Sequence, residues 1–167
     1  MKFIFTSLIA LASFLSACYG SETDSTTNNN TTTTEIIIDT SKKAEIVSVT
    51  TTKRGNNYRF SVGIASPDID CTQYANWWEI ITEDGTLLYR RILGHSHANE
   101  QPFVRSGGNL ELENNQMVIV RAHMNTSGYG TKAFKGSLNN GFTPITLKED
   151  FALDLAKKAP LPTNCAF

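Results

Sequence analysis

The residues with the most reactive chemistry sit together in Gly94-His95-Ser96-His97-Ala98. In an extended segment His95 and His97 project to the same side, and neutral imidazole is a good ligand for copper or zinc. Such a site needs at least a third protein ligand. His123 is the remaining histidine of the chain, and Glu100 could add an oxygen. Copper or zinc held by His95, His97 and His123 is therefore one expectation. The plainer one is that these are rim histidines making ordinary hydrogen bonds. The same pentapeptide approximates the Gly-x-Ser-x-Gly nucleophile elbow, with Ser96 as nucleophile. That motif works on a strained turn between a strand and a helix of an α/β sheet. No strand–helix–strand pattern flanks Ser96, and no pair of carboxylates stands out as an acid–base couple. A non-catalytic domain is the leading expectation, with Ser96 hydrolysis a remote alternative.

Other polar and aromatic features are less specific. Arg105-Ser106-Gly107-Gly108-Asn109 reads as a flexible turn whose backbone N–H groups could approach an anion. Trp77, Trp78 and Tyr129 could form a platform for a glycan or peptide, although core packing is the ordinary fate of such rings. Lys and Arg number 15 against 16 for Asp and Glu, and no basic cluster exceeds two residues. The electrostatic footprint of a nucleic-acid binder is absent.

The elements that must position these residues read mainly as strands. Ala44 to Thr52 is a β-branched run, followed by the turn signal Gly55-Asn56-Asn57. From Tyr58 to Ala65 apolar residues alternate with small or polar ones, with Tyr58, Phe60, Val62 and Ile64 inward. Asp84-Gly85 between two apolar runs predicts a hairpin over Trp77–Ile92. Its register pairs Trp77 with Ile92, Trp78 with Arg91, Glu79 with Arg90, Ile81 with Leu88 and Glu83 with Thr86. Both faces carry large apolar groups, so each should be covered. Across the ladder, Glu79 and Arg90 would contribute a few tenths of a kcal/mol.

Gln116 to Asn125 is a further strand. Val118, Val120, Ala122 and Met124 share one face, and Ile119, Arg121 and His123 the other. The Ser127–Gly130 turn leads to a returning partner over Thr131–Leu138. At the C-terminal end, Thr146 and Glu149 form a capping box. Leu147, Phe151 and Leu155 then make one stripe, and Pro160 ends the segment. The expected fold is an antiparallel β-sandwich with one short C-terminal helix. A tryptophan in a central strand resembles immunoglobulin-like domains in architecture, but the cysteine positions depart from that pattern.

The chain has three cysteines, Cys18, Cys71 and Cys165. Cys18 follows Leu15-Ser16-Ala17, after a start containing Lys2 and an apolar run from Phe3 to Leu15. This run is shorter than the about 20 apolar residues a membrane-spanning helix needs, and it has the layout of a secretory signal peptide. A large aliphatic residue, two small ones and cysteine at this position resemble the lipobox of bacterial lipoproteins. The resemblance covers residues 1–18. It implies cleavage before Cys18, a diacylglyceryl group on its sulfur and an acylated amine. Several acyl chains anchor stably, whereas one is marginal.

The position after the cysteine is Tyr19. In Gram-negative lipoproteins an aspartate there favours retention in the inner membrane, so the resemblance implies the outer membrane in such a host. From Gly20 to Thr34 the sequence has no hydrophobic residue, a composition that cannot order itself. The expected organisation is a signal peptide over 1–17, a lipidated cysteine and tether over 18–43, and one β-sandwich domain over 44–167. Exposure to an oxidising envelope would leave Cys71 and Cys165 to pair as a disulfide. The partners expected are the membrane through the anchor, and an envelope protein, glycan or peptide through the domain.

Overall fold

The computed structural model describes residues 42–166. The predicted signal peptide, Cys18 and most of the tether lie outside the described residues. Strands β1 (Glu45–Arg54), β2 (Asn57–Ala65) and β5 (Phe103–Leu110) form one antiparallel sheet in the order β1-β2-β5. The second sheet contains β3 (Ala75–Thr82), β4 (Leu87–Ile92), β6 (Val118–Met124), β8 (Lys132–Ser137) and β9 (Gly141–Thr146). Its order is β4-β3-β6-β8-β9, and the short β7 (Gly128–Tyr129) also pairs with β6. The structure is mainly antiparallel β, consistent with a β-sandwich.

The alternation in β2 buries Phe60, Val62 and Ile64 against Trp78 and Ile80 of β3 and Val118, Val120, Ala122 and Met124 of β6. These residues make the core between the sheets. Close approach across it explains a departure from expectation. The segment Arg105–Asn109, read as a flexible turn, belongs to β5 and pairs with β2. Gly107 faces Trp78 and Tyr89 so tightly that a Cβ there would lie 2.6 Å from the Tyr89 hydroxyl. The glycine makes room for two aromatic side chains and does not mark a loop.

The hairpin keeps the expected pairs Trp77–Ile92, Trp78–Arg91 and Glu79–Arg90. A register shift after Ile80 then pairs Ile81 with Leu87, where Leu88 was expected. Near the turn, the Thr82 N–H donates to the Thr86 carbonyl at 2.9 Å. The bulge occupies one residue of β4 and moves the final pairs.

A second apolar cluster lies on the opposite face of the larger sheet. Trp77, Ile81, Ile119, Tyr129 and Ala133 pack there with Leu155, flanked by Leu147 and Phe151. The predicted Leu147–Phe151–Leu155 stripe therefore covers the sheet, but its backbone is not the predicted α-helix. Thr146 ends β9, paired with Lys132, and no side chain caps the one helical element among the described residues, a 3-10 turn over Leu153–Lys157. The Leu147 N–H donates to the Thr131 carbonyl at 2.8 Å, extending the strand direction past Thr146.

Two arginines hold this covering segment down. Arg121 donates to the carbonyls of Phe151 and Ala152 at 2.7 and 2.9 Å. Arg90 donates to the carbonyls of Leu155 and Pro160 at 2.6 and 3.0 Å, and to that of Lys158. Both guanidinium groups also bind Glu79, Arg90 at 2.6 Å and Arg121 at 2.9 Å, with all three side chains essentially sealed from solvent. The predicted cross-strand pair is thus part of a buried triad, and the value of a few tenths of a kcal/mol does not apply to it. Arg121 lies 3.5 Å above the Tyr129 ring and Arg90 4.5 Å above Trp77, so the cations also meet aromatic faces. Beyond the segment, Cys165 forms a disulfide with Cys71.

Removing one member of a buried charge group leaves its partners uncompensated, at a typical cost of about 3–5 kcal/mol. Glu79→Ala is expected to lower the unfolding free energy by at least that much in urea denaturation. A variant within 1 kcal/mol of the wild type would show that the triad does not hold the covering segment.

Candidate functional site

The loop after β4 carries the sequence-predicted chemistry, and Asp68 organises it. The Asp68 carboxylate accepts the Ser66 hydroxyl at 2.6 Å, the Ala75 N–H at 2.8 Å and the His97 N–H at 2.8 Å. Gln101 continues the arrangement, accepting the Ser66 N–H at 2.9 Å and donating to the His97 carbonyl at 3.1 Å. The tail joins the same region, because the Ala166 N–H donates to the Gly94 carbonyl at 2.6 Å.

His95 and His97 do come together, with ring centroids 4.5 Å apart. His97 is buried and stacks on Phe103 at 3.9 Å. Neither of its ring nitrogens has a hydrogen-bond partner, and its Nδ1 stands 3.9 Å from the nearest Asp68 oxygen, beyond hydrogen-bonding range. Burial, and then the positive charges of Arg105 and His95, hold the His97 pKa below the ordinary histidine value. The Arg105 charge also opposes a metal ion. The buried Ser96 hydroxyl makes no hydrogen bond, so no imidazole is placed to accept its proton.

His123 does not join the other two histidines. It stacks on Trp77 with centroids 3.7 Å apart and planes 10° from parallel, and it meets the edge of Tyr129 at 4.7 Å. Among the described residues, no three His, Cys, Asp or Glu side chains are grouped to hold a metal ion. The expected His95–His97–His123 convergence is absent because His123 lies on the covered outer face of β6, engaged with Trp77 and Tyr129. His97 is instead committed to Phe103.

His123 lines a cleft of about 1240 Å³. Its walls come from Lys42 and Lys43 at the start of the domain, Ser66 and Pro67 after β2, Gln101 and Pro102, the β7 turn, and Glu149, Asp150 and Leu153 of the covering segment. The domain entry is pressed close to β7: a Cβ on Gly130 would lie 1.8 Å from the Ala44 carbonyl oxygen. Lys43 donates to the Ser127 carbonyl, and the Ser127 hydroxyl donates back to the Lys42 carbonyl at 2.8 Å.

The proton on His123 is fixed by its neighbours. Nδ1 donates to the Asn76 side-chain oxygen at 2.8 Å. Burial, then the positive charges of Arg90, Arg121 and Lys43, push the imidazole pKa down to about 3. The ring is therefore neutral at neutral pH, and Nε2 is an unprotonated acceptor. Unlike the nitrogens of His97, Nε2 is not sealed from solvent. Burial also pushes the Tyr129 hydroxyl up to about 12, with Glu79 adding to the effect. The arrangement offers a hydrogen-bond acceptor in a cleft. The sequence reading placed His123 on the correct strand face but missed Asn76 and Asp68, whose partners are distant in sequence. The Lys42-Lys43 pair was visible as a motif with no assigned role.

The chain is 37% identical over 101 residues to a protein of Halomicrobium mukohataei named "Putative lipoprotein", a match covering 60% of this chain and 50% of that protein. The chain thus spans about half the length of this relative, and the likeness supports a lipoprotein associated with the cell envelope. No family model matches the chain, and no solved structure matches it. Among the described residues no helix is long and apolar enough to cross a membrane.

A histidine kept neutral by the fold makes stability depend on acid. The unfolded chain takes up a proton near the ordinary value of 6.5, whereas folded His123 resists protonation down to about 3. Its contribution is therefore complete above pH 6.5 and is lost as pH falls through that window. His97, also held below the ordinary histidine value, adds a smaller loss in the same window, and the depressed carboxyl groups of Asp70, Asp84 and Glu100 add theirs only below their ordinary values of 3.8 to 4.5. Between pH 7 and 4.5 the unfolding free energy is expected to fall by on the order of 1–3 kcal/mol. His123→Asn, which keeps a donor toward Asn76, should flatten most of that slope in urea titrations. An unchanged slope would refute the assignment.

Proposed function

We propose that the protein is a cell-envelope lipoprotein, anchored through acyl chains on Cys18, whose β-sandwich acts by binding and not by catalysis. The observation carrying the anchor is Leu15-Ser16-Ala17-Cys18 at the end of a short apolar leader, supported by the name of the relative. Residues 18–43 then serve as the tether and residues 44–167 as the functional domain. In a Gram-negative host, Tyr19 in place of aspartate would direct the protein to the outer membrane.

The cleft at His123 supports the binding role. It is large enough for a small-molecule ligand, since such pockets commonly measure about 300–1,000 Å³. Its interior supplies a fixed acceptor, and its walls are held by the buried triad on one side and by Asp68 on the other. A partner could be a glycan, a peptide or another envelope protein, and all would use the domain and leave the anchor untouched.

The anchor is tested by mass spectrometry of the native protein and by metabolic labelling with a tagged fatty acid. The mature N-terminus is expected to be an acylated Cys18. Cys18→Ala should abolish labelling and release the protein from the membrane fraction. An unacylated N-terminus, or an intact leader, would overturn the proposal.

A further inference from the structure

The geometry points to a short, uncharged saccharide as the ligand of the cleft floored by His123, an inference that rests on the binding role proposed above. The floor provides one deeply held acceptor. His123 is 8% exposed, its Nδ1 is occupied by Asn76, and Nε2 faces the cleft with its lone pair free. A group satisfying that lone pair must donate a hydrogen bond, as a hydroxyl or amide does.

The rim adds more acceptors. Glu149 and Asp150 are exposed, line the same cleft and take part in no ion pair among the described residues. A carboxylate accepts through both oxygens, so the cleft favours a ligand with several donors arranged along its length. Hydroxyl groups on a sugar have that property.

Charge argues against the main alternatives. An anion would meet the Glu45, Glu149 and Asp150 carboxylates, and of the two lysines in the lining, Lys42 and Lys43, the second already donates to the Ser127 carbonyl. A cation would meet Arg90, Arg121 and Lys43, whose charges add to burial in keeping His123 unprotonated. An uncharged ligand escapes both penalties. The remaining lining suits the apolar C–H faces of a sugar ring. Pro102, Tyr129 and Leu153 border the cleft, and Leu153 keeps 50% of its surface exposed with no protein cover. An uncharged peptide would also donate hydrogen bonds, but with one backbone N–H per residue it offers fewer donors over the same length than a sugar does.

Trp77 provides a built-in reporter because it stacks directly on His123. The experiment titrates the mature full-length protein in detergent with cellobiose, maltose and N,N′-diacetylchitobiose, following tryptophan fluorescence, with calorimetry as the second readout. Expected is saturable binding of at least one of them. Hydrogen bonds to charged acceptors are among the stronger ones, so the double variant Glu149→Gln/Asp150→Asn should weaken binding by about tenfold or more. Both positions are exposed, so that variant should fold normally. His123→Asn should abolish the tryptophan response and weaken binding in calorimetry.

Absence of saturable binding by every disaccharide would overturn the proposal, as would affinity unchanged in both variants. Parallel titrations use an acetylated, amidated tetra-alanine peptide and citrate. If either binds and is lost in His123→Asn while the sugars fail, the saccharide assignment falls but the binding role stands. If no probe binds, the proposal falls, and lipid attachment at Cys18 remains to be judged by its own labelling test.

Discussion

A single carboxylate, that of Glu79, holds two buried guanidinium groups on the outer face of the larger sheet. Ion groups of this kind are expensive to bury and contribute only when nearly every donor finds an acceptor. Here the remaining donors of Arg90 and Arg121 are taken up by backbone carbonyls of the segment from Phe151 to Pro160. The arrangement works in both directions. The arginines need those carbonyls because no water reaches them, and the segment needs the arginines because its backbone is mostly irregular. Apolar burial by Leu147, Phe151 and Leu155 supplies the non-directional part of the attachment, and the arginines fix its register.

The consequences reach the cleft. The covering segment contributes Glu149, Asp150 and Leu153 to one wall, so the cleft exists only while that segment is docked. The same two arginines place positive charge near His123 and reinforce the effect of burial on its protonation. Structural attachment and the chemical state of the imidazole thus share one cause. The opposite wall depends on Asp68, whose oxygens fasten the Ser66–Pro67 turn to the loop carrying His97. Gln101 bridges the two loops.

Local pattern made much of this fold legible. The period-2 alternation of β2 and the opposite faces of β6 appear in the structure as read, because each strand packs one face in the central core. The Trp77–Ile92 hairpin was legible for a different reason: the Asp84-Gly85 turn signal set its position, and apolar groups on both faces called for cover on both sides. Three strands escaped the reading, the shortest being the two-residue β7 inside the Ser127–Gly130 turn. In β5 one of the two glycines that suggested a loop, Gly107, is an accommodation to Trp78 and Tyr89 across the core. In β9 a proline, Pro144, obscures a strand that lies at the sheet edge, where a missing N–H is tolerated. The helix expectation failed at the backbone and succeeded at the side chains. The spacing of Leu147, Phe151 and Leu155 does mark a buried stripe. An α-helix, however, would use the carbonyls of Phe151, Ala152 and Leu155 internally, and Arg121 and Arg90 claim them instead.

The candidate site was less legible because its determinants are long-range. Chemical type drew attention to His95, Ser96 and His97, but type alone does not distinguish a ligand from a packed ring. His97 became a packing residue through Phe103, six positions away, and through Asp68 on another loop. His123 was placed on the right face of its strand, yet its role depends on Asn76, Trp77 and the arginines across the neighbouring strand. A sequence shows that an imidazole is present; its tautomer and charge are set by partners brought together only by folding. Histidine, with an ordinary pKa near neutrality, is the side chain most sensitive to that difference. At His123 burial and the nearby cations both disfavour the proton, while Asn76 fixes which nitrogen remains free to accept one. What distinguishes this histidine from the other two is therefore the deliberate satisfaction of one ring nitrogen and the exposure of the other to a cleft.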